Sequence, residues 1–166
     1  QEILDASTST SNGNSSDEET YNPAQLPIAQ GCVALVKCSR GTLNAALKAC
    51  DCVGSEIESG MNDGRAENLD FIRKVLESAK RVGEGMTDMA SLLYPPLEIK
   101  HETAPGDHLW TQVKQQHQSL KSLLLLFESN ETCMKSEEIS NLVSNLKGAV
   151  DRRYDEVEHS CRDALI

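Results

Sequence analysis

Six cysteines are the residues best suited to chemistry: Cys32, Cys38, Cys50, Cys52, Cys133 and Cys161. An even number favours three disulfides and an oxidising compartment. The spacings fit no zinc pattern, because Cys50-Asp51-Cys52 sets two thiols too close for the usual knuckle. A C-x-C redox pair is the competing use, but the other four cysteines argue for a structural framework. Two sequons, Asn14-Ser15-Ser16 and Asn130-Glu131-Thr132, could accept N-glycans along the secretory route. The chain starts at Gln1 rather than Met, the start expected once a signal peptide is removed.

Other chemical groups are sparse. No G-x-S-x-G, H-E-x-x-H, Walker loop or Gly-rich dinucleotide turn occurs, so no enzyme activity and no cofactor are expected. His101, Glu102 and His108 share a loop and could meet at a metal, but solvated loop side chains are the simpler reading. His117 falls at the edge of an apolar helical stripe and reads as a boundary residue. Glu156, Glu158 and His159 read as a solvated helix face. Lys80-Arg81 and Arg152-Arg153 are small basic spots, balanced by Glu84, Asp151 and Asp155 at helical spacing. Ser16-Asp17-Glu18-Glu19 has the form of an acidophilic kinase site.

The 166 residues carry a net charge of −10, with 16 Lys+Arg, 26 Asp+Glu and 4% aromatics. Clustered cations and stacking rings are what nucleic-acid surfaces need, so that class of partner is not expected. Residues 1–30 hold five acids (Glu2, Asp5, Asp17, Glu18 and Glu19) and no Lys or Arg. Half the net charge therefore falls on a short leader. The longest apolar run, Leu123–Phe127, is far too short to span a bilayer.

Two units are expected. Residues 1–29 form an acidic Ser/Thr-rich arm whose few large apolar side chains cannot offset the entropy of ordering, with Pro23 and Pro27 as an extended lead-in. Residues 30–166 form an all-α, antiparallel (up-down-up-down), disulfide-stapled four-helix bundle. The first helix, about 30–59, shows Val33, Val36, Arg40, Leu43, Leu47, Cys50, Gly54 and Ile57 at 3-4 spacing. Gly60 and Asn62-Asp63-Gly64 end it. The second, about 65–94, carries Leu69, Ile72, Leu76, Ala79, Gly83, Met86, Ala90 and Leu93, with Val75, Val82, Met89 and Leu92 widening the stripe, and stops at Pro95-Pro96. The third, about 108–129 and capped by Asp107, turns Leu109, Val113, Leu120, Leu123 and Phe127 inward, and Leu124, Leu125 and Leu126 extend that face around what should be the most buried helix. Ser136, Glu137 and Glu138 open the fourth, whose inner face is Ile139, Leu142, Val143, Leu146, Val150, Tyr154, Val157 and Cys161.

This order places Cys133 near Cys50 and Cys52 at one end, and Cys161 near Cys32 and Cys38 at the other. One disulfide staple is expected at each end. A third bond must join thiols on the first helix, at least about 18 Å apart in a straight helix and beyond disulfide reach. The first helix is therefore expected to fold back near Ser39-Arg40-Gly41; otherwise two thiols stay free or pair between molecules.

In outline the chain resembles the four-helix cytokines, and also the small helical effectors secreted by blood-feeding arthropods and parasites, with an acidic arm before a pinned helical domain. No motif carries either resemblance, and no functional residue is transferred. The functional expectation is a secreted, non-enzymatic effector that binds an extracellular partner protein through helix faces or the acidic arm. The alternative is an extracellular carrier of a small apolar ligand, held in a gap lined by Gly83, Met86, Met89, Leu120 and Leu123.

Overall fold

A computed structural model describes residues 20–59, 64–97 and 108–164. The fold is all-helical and bundle-like, with no strand among the described residues. Its elements are α1 (Gln25–Glu58), α2 (Arg65–Ser91), α3 (His108–Glu128), α4 (Glu131–Lys135) and α5 (Glu137–Asp163). Residues 1–19 of the arm, with Asn14 and Ser16, lie outside the described residues, as do His101, Glu102 and Asp107.

α1 begins at Gln25, five residues before the expected start, and buries Gln25, Ile28 and Ala29. The Asn22 side chain accepts a hydrogen bond from Gln25 N–H at 2.9 Å. Pro27 is not part of an extended lead-in. It sits in the first turn of α1, where its missing N–H costs no helical bond.

The expected fold-back near Gly41 is absent: α1 is one continuous helix of 34 residues. Ser39 and Thr42 hydroxyls donate to the Leu35 and Cys38 carbonyls, which keeps both polar side chains satisfied inside the helix. Gly41 serves packing instead, since a Cβ there would lie 3.0 Å from Leu146 Cδ2. Gly31 is tighter still, with a Cβ falling 2.6 Å from Val157 Cγ2.

The buried face of α1 also differs from the expected one. It consists of Ile28, Gly31, Cys32, Leu35, Ser39, Thr42, Ala45, Ala46, Ala49 and Val53. None of the eight positions from Val33 to Ile57 expected inward is buried. α1 packs against all four other helices, and close approach on several sides selects small residues. On α2 the expected widening residues Val75, Val82 and Met89 are the core, joined by Phe71, while Leu69 and Leu76 of the expected a/d series are exposed.

α3 and α5 largely match their expected faces, except that Leu125 on α3 is exposed and Leu142 and Tyr154 on α5 are half-buried. Leu109, Val113, Leu120, Leu123 and Phe127 are buried on α3, and Ile139, Val143, Leu146, Val150, Val157 and Cys161 on α5. Ser136 caps α5, accepting from Ile139 N–H at 3.5 Å, with Glu137 and Glu138 in the first turn. The short α4 was not expected; Asn130 caps it by accepting from Cys133 N–H at 3.0 Å. α2 starts from Gly64, whose φ of 101° is a conformation that side-chain-bearing residues resist.

Close pairs fix how the helices run past one another. Gly31 meets Val157, Gly41 meets Leu146 and Lys48 pairs with Glu138, so contacts climb α1 as they descend α5. Between α3 and α5 the pairs are Trp110–Tyr154, His117–Asp151 and Glu128–Lys147.

Candidate functional site

The cysteines fall into two groups. Cys32 and Cys161 are both buried, on α1 and α5, and Cys161 is close enough to add to the rise of the Cys32 thiol. Cys133, buried in α4, senses Cys52 and Cys50 of α1. No disulfide joins the described cysteines. Burial pushes the Cys32 thiol up to about 12, with Cys161 adding to the rise. Burial does the same at Cys133, to about 12, helped by Cys52, Cys50 and Glu56. Cys38 and Cys50 are also raised by burial; Arg153 and Arg152 oppose the shift at Cys38.

Raised thiol values give a pH prediction. A fold that holds protonated thiols keeps their contribution below the ordinary thiol value of 9.0 and loses it as pH rises toward about 12. In reductant, the unfolding free energy from urea titration should fall steeply between those values, by about 1 kcal/mol per pH unit per thiol. A reduced protein with a flat profile would contradict this. Oxidised protein in which these thiols are bridged should lack the drop.

Asn130 of the second sequon is half-buried, and its Oδ1 is the α4 cap, so the amide nitrogen remains as the atom a glycan would use. Thr132 Oγ1 donates to Glu56 Oε2 at 2.6 Å, tying the sequon to the end of α1.

The five residues expected to line a ligand gap do not act together. Met89, Leu120 and Leu123 are fully buried in the core, while Met86 and Gly83 are only partly covered. A Cβ at Gly83 would meet nothing within 4 Å, so no helix presses on it. The close approach is at Gly85, where a Cβ would fall 2.1 Å from Gln116 Oε1.

Gln116 is the polar residue that sequence reasoning missed. Its signal was register, three residues after Val113 and four before Leu120 on the apolar face. It is fully buried, and its Nε2 donates to Ser39 Oγ at 2.8 Å and Val82 O at 3.1 Å, joining α1, α2 and α3. Its Oε1 has no hydrogen-bond partner. A buried acceptor without a partner costs about 1–3 kcal/mol. Gln116→Met keeps the shape and removes that acceptor, and Ser39 retains its bond to Leu35 O. The variant should gain up to about 1 kcal/mol in urea unfolding; a loss above that would show the amide to be net stabilising. Outside Gln116, a polar cleft of about 410 Å³ opens between α2 and α3, lined by Arg81, Glu84, Asp88, Gln112 and Gln115 among others.

On the α3–α5 side, Trp110, Tyr154 and His117 form a ladder of rings, with centroids 5.5 Å and 4.0 Å apart. Lys114 Nζ sits 4.9 Å over Trp110. His117 Nε2 lies 2.8 Å from Asp151 Oδ1, and Lys121 is 3.5 Å from the same oxygen. The hydrogen bond to His117 leads in holding the Asp151 carboxyl below its ordinary value. Asp151 thus serves α3, while Arg153 pairs with Glu156 at 2.6 Å and Lys80 with Glu84 at 3.7 Å. Glu158 and His159 pair along α5 with Arg162 and Asp163. No group of three or more His, Cys, Asp or Glu side chains suited to a metal occurs among the described residues.

The remaining candidate is a surface. The periodic positions that α1 and α2 do not bury form an exposed apolar stripe on each helix. Val33 and Leu47 are 46% and 64% exposed, and Leu69 and Leu76 are 52% and 59% exposed. Half-buried Val36, Leu43 and Cys50 edge the stripe on α1, and Ile72, Ala79 and Met86 edge it on α2. At about 100° per residue, Val33, Arg40 and Leu47 lie on the flank of α1 turned away from α5, whose contacts are at Gly31, Gly41 and Lys48. Leu69 and Leu76 lie on the flank of α2 turned away from α3, which meets α2 at Val82 and Gly85. Each stripe therefore lies off the flank that its own helix turns to α5 or α3.

Comparison with protein-family models, with curated proteins and with solved structures finds no match for this chain. No described helix is long and apolar enough to cross a membrane.

Proposed function

We propose that this is a secreted, non-enzymatic binding protein, an effector that engages an extracellular partner protein through a helix face. The observation that carries the reading is the set of exposed apolar side chains on α1 and α2, Val33, Leu47, Leu69 and Leu76. The acidic leader is a second element for steering toward a basic partner. The two sequons and six cysteines support the extracellular setting.

The same reading takes α1, α2, α3 and α5 as an antiparallel, up-down-up-down four-helix bundle with a disulfide staple at each end. The opposed α1–α5 and α3–α5 pairs support the first part. Cys32 with Cys161, and Cys133 with Cys52 or Cys50, are the bonds proposed. A straight α1 separates Cys38 from Cys50 by 12 residues, or about 18 Å, which leaves no third bond within one chain. Carriage of a small apolar ligand has weaker support, because Met89, Leu120 and Leu123 are sealed in the core.

Two measurements test the proposal. Peptide mass mapping of protein secreted from eukaryotic cells should return the two bonds and glycan at Asn130; six free thiols would contradict the extracellular reading. Immobilised protein should capture one partner from extracellular fluid, and Leu47→Glu with Leu76→Glu should abolish that capture. Capture that survives both substitutions would move the site off these side chains.

A further inference from the structure

We infer that the α1–α4 contact is a thiol–disulfide exchange centre, in which the bond to Cys133 passes between Cys50 and Cys52 and the thiol left over attacks a disulfide brought to it. This rests on the proposed extracellular reading and adds an activity to it. The ground is one buried sulfur set against two flanking ones. Cys133 is fully buried, in the same core as Ala49 and Val53 of α1. At about 100° per residue, the buried line of α1 through Ala49 and Val53 has Cys50 about 80° to one side and Cys52 about 80° to the other. Both are half-buried at the edge of the core, and Asp51 between them is exposed on the opposite side of the helix. The bond from Thr132 Oγ1 to Glu56 Oε2, at 2.6 Å, ties α4 to α1 just beyond this point. Glu56 lies about 40° to the Cys52 side of the buried line. Both thiols add to the rise at Cys133, Cys52 more than Cys50. Cys133 thus has two candidate partners on α1, with Cys52 the favoured one. Cys50 and Cys52 are about 200° apart around the helix, so they point away from each other and do not bond while α1 stays helical. One thiol of the pair is always left over.

The first bond needs an oxidant, a disulfide donor of the secretory route. That donor is reduced to two thiols as the Cys52 and Cys133 thiols lose their protons and join. Exchange then needs no further oxidant. Cys50, as its thiolate, attacks Cys133 Sγ. The Cys50–Cys133 bond forms, the Cys52–Cys133 bond breaks, and Cys52 leaves with the electron pair and takes up a proton. Attack on Cys52 Sγ would instead expel Cys133, the poorer leaving group, because burial pushes its thiol up to about 12. The bond therefore moves along α1 and stays on Cys133. Toward an outside disulfide the left-over thiolate does the same chemistry. It attacks one sulfur to form a mixed disulfide, and the other sulfur leaves as a thiolate and is protonated.

The test uses the full chain secreted from eukaryotic cells and quenched in acid, which stops exchange. Peptide mapping should return two isomers, Cys52–Cys133 in excess and Cys50–Cys133, with a maleimide label on whichever thiol is left over. The isomers, separated in acid and returned to neutral pH, should each relax to the same mixture within hours. Native protein given glutathione disulfide should gain glutathione at Cys50 or Cys52. Cys52→Ser should keep a bond on Cys133, now from Cys50 alone, and should lose the second isomer. A single isomer, two isomers that do not interconvert, or no glutathione at either position overturns the inference and leaves the extracellular reading standing. Six free thiols would overturn both together.

Discussion

Phe127→Ala should cost about 3–5 kcal/mol in urea unfolding, the largest loss expected from any single truncation in this protein. Phe127 is the bulkiest of the fully buried side chains. It lies near the end of α3, before the turn into α4. Removing the ring forfeits its transfer free energy and leaves a cavity in the packed core. Native domains hold only about 5–15 kcal/mol in total, so the variant should be partly unfolded near physiological temperature. The internal control is Leu125→Ala, two residues away on the same helix. Leu125 is 54% exposed, and its truncation should change stability by less than about 0.5 kcal/mol. Similar losses at the two sites would show that α3 does not bury the face assigned to it.

Gly31→Val should cost about 3 kcal/mol by overpacking the α1–α5 contact. The new Cβ would fall 2.6 Å from Val157 Cγ2. Val157 is fully buried and β-branched, so it has no spare rotamer with which to withdraw. The helices must therefore part, disturbing packing along both. The small gain in helix propensity over glycine offsets only a fraction of this. Val157→Ala should relieve the clash, so the double variant should lose at least about 1 kcal/mol less than the sum of the single losses. Additive losses would show that the two residues do not meet.

How far the sequence foretells this structure depends on the helix. In α3 and α5 the large apolar residues are the core, and their spacing names the buried face correctly. In α1 the central position in the fold selects Gly31, Cys32, Ser39, Thr42, Ala45, Ala46 and Ala49 for the inside, leaving Val33 and Leu47 outside. Periodicity weighs hydropathy rather than fit, so it follows the larger residues to the wrong face. The same substitution of a surface stripe for a core stripe occurs at Leu69 and Leu76 of α2. Those two displaced stripes are the candidate site. The fold-back at Gly41 follows only from a third bond within one chain, and the continuous α1 keeps Cys38 too far from Cys50 for that bond. Gln116 was legible only as a polar residue in an apolar register. The exposure of the two stripes was not legible at all, since it depends on which flank each helix turns to its neighbour.

Hydrogen–deuterium exchange on the full chain, alone and with its captured partner, tests the central claim most directly. Binding at the exposed stripes predicts slowed exchange in residues 33–50 of α1 and 69–83 of α2, with α3 and α5 unchanged. Protection confined to α3 and α5, or to the acidic leader, would contradict it.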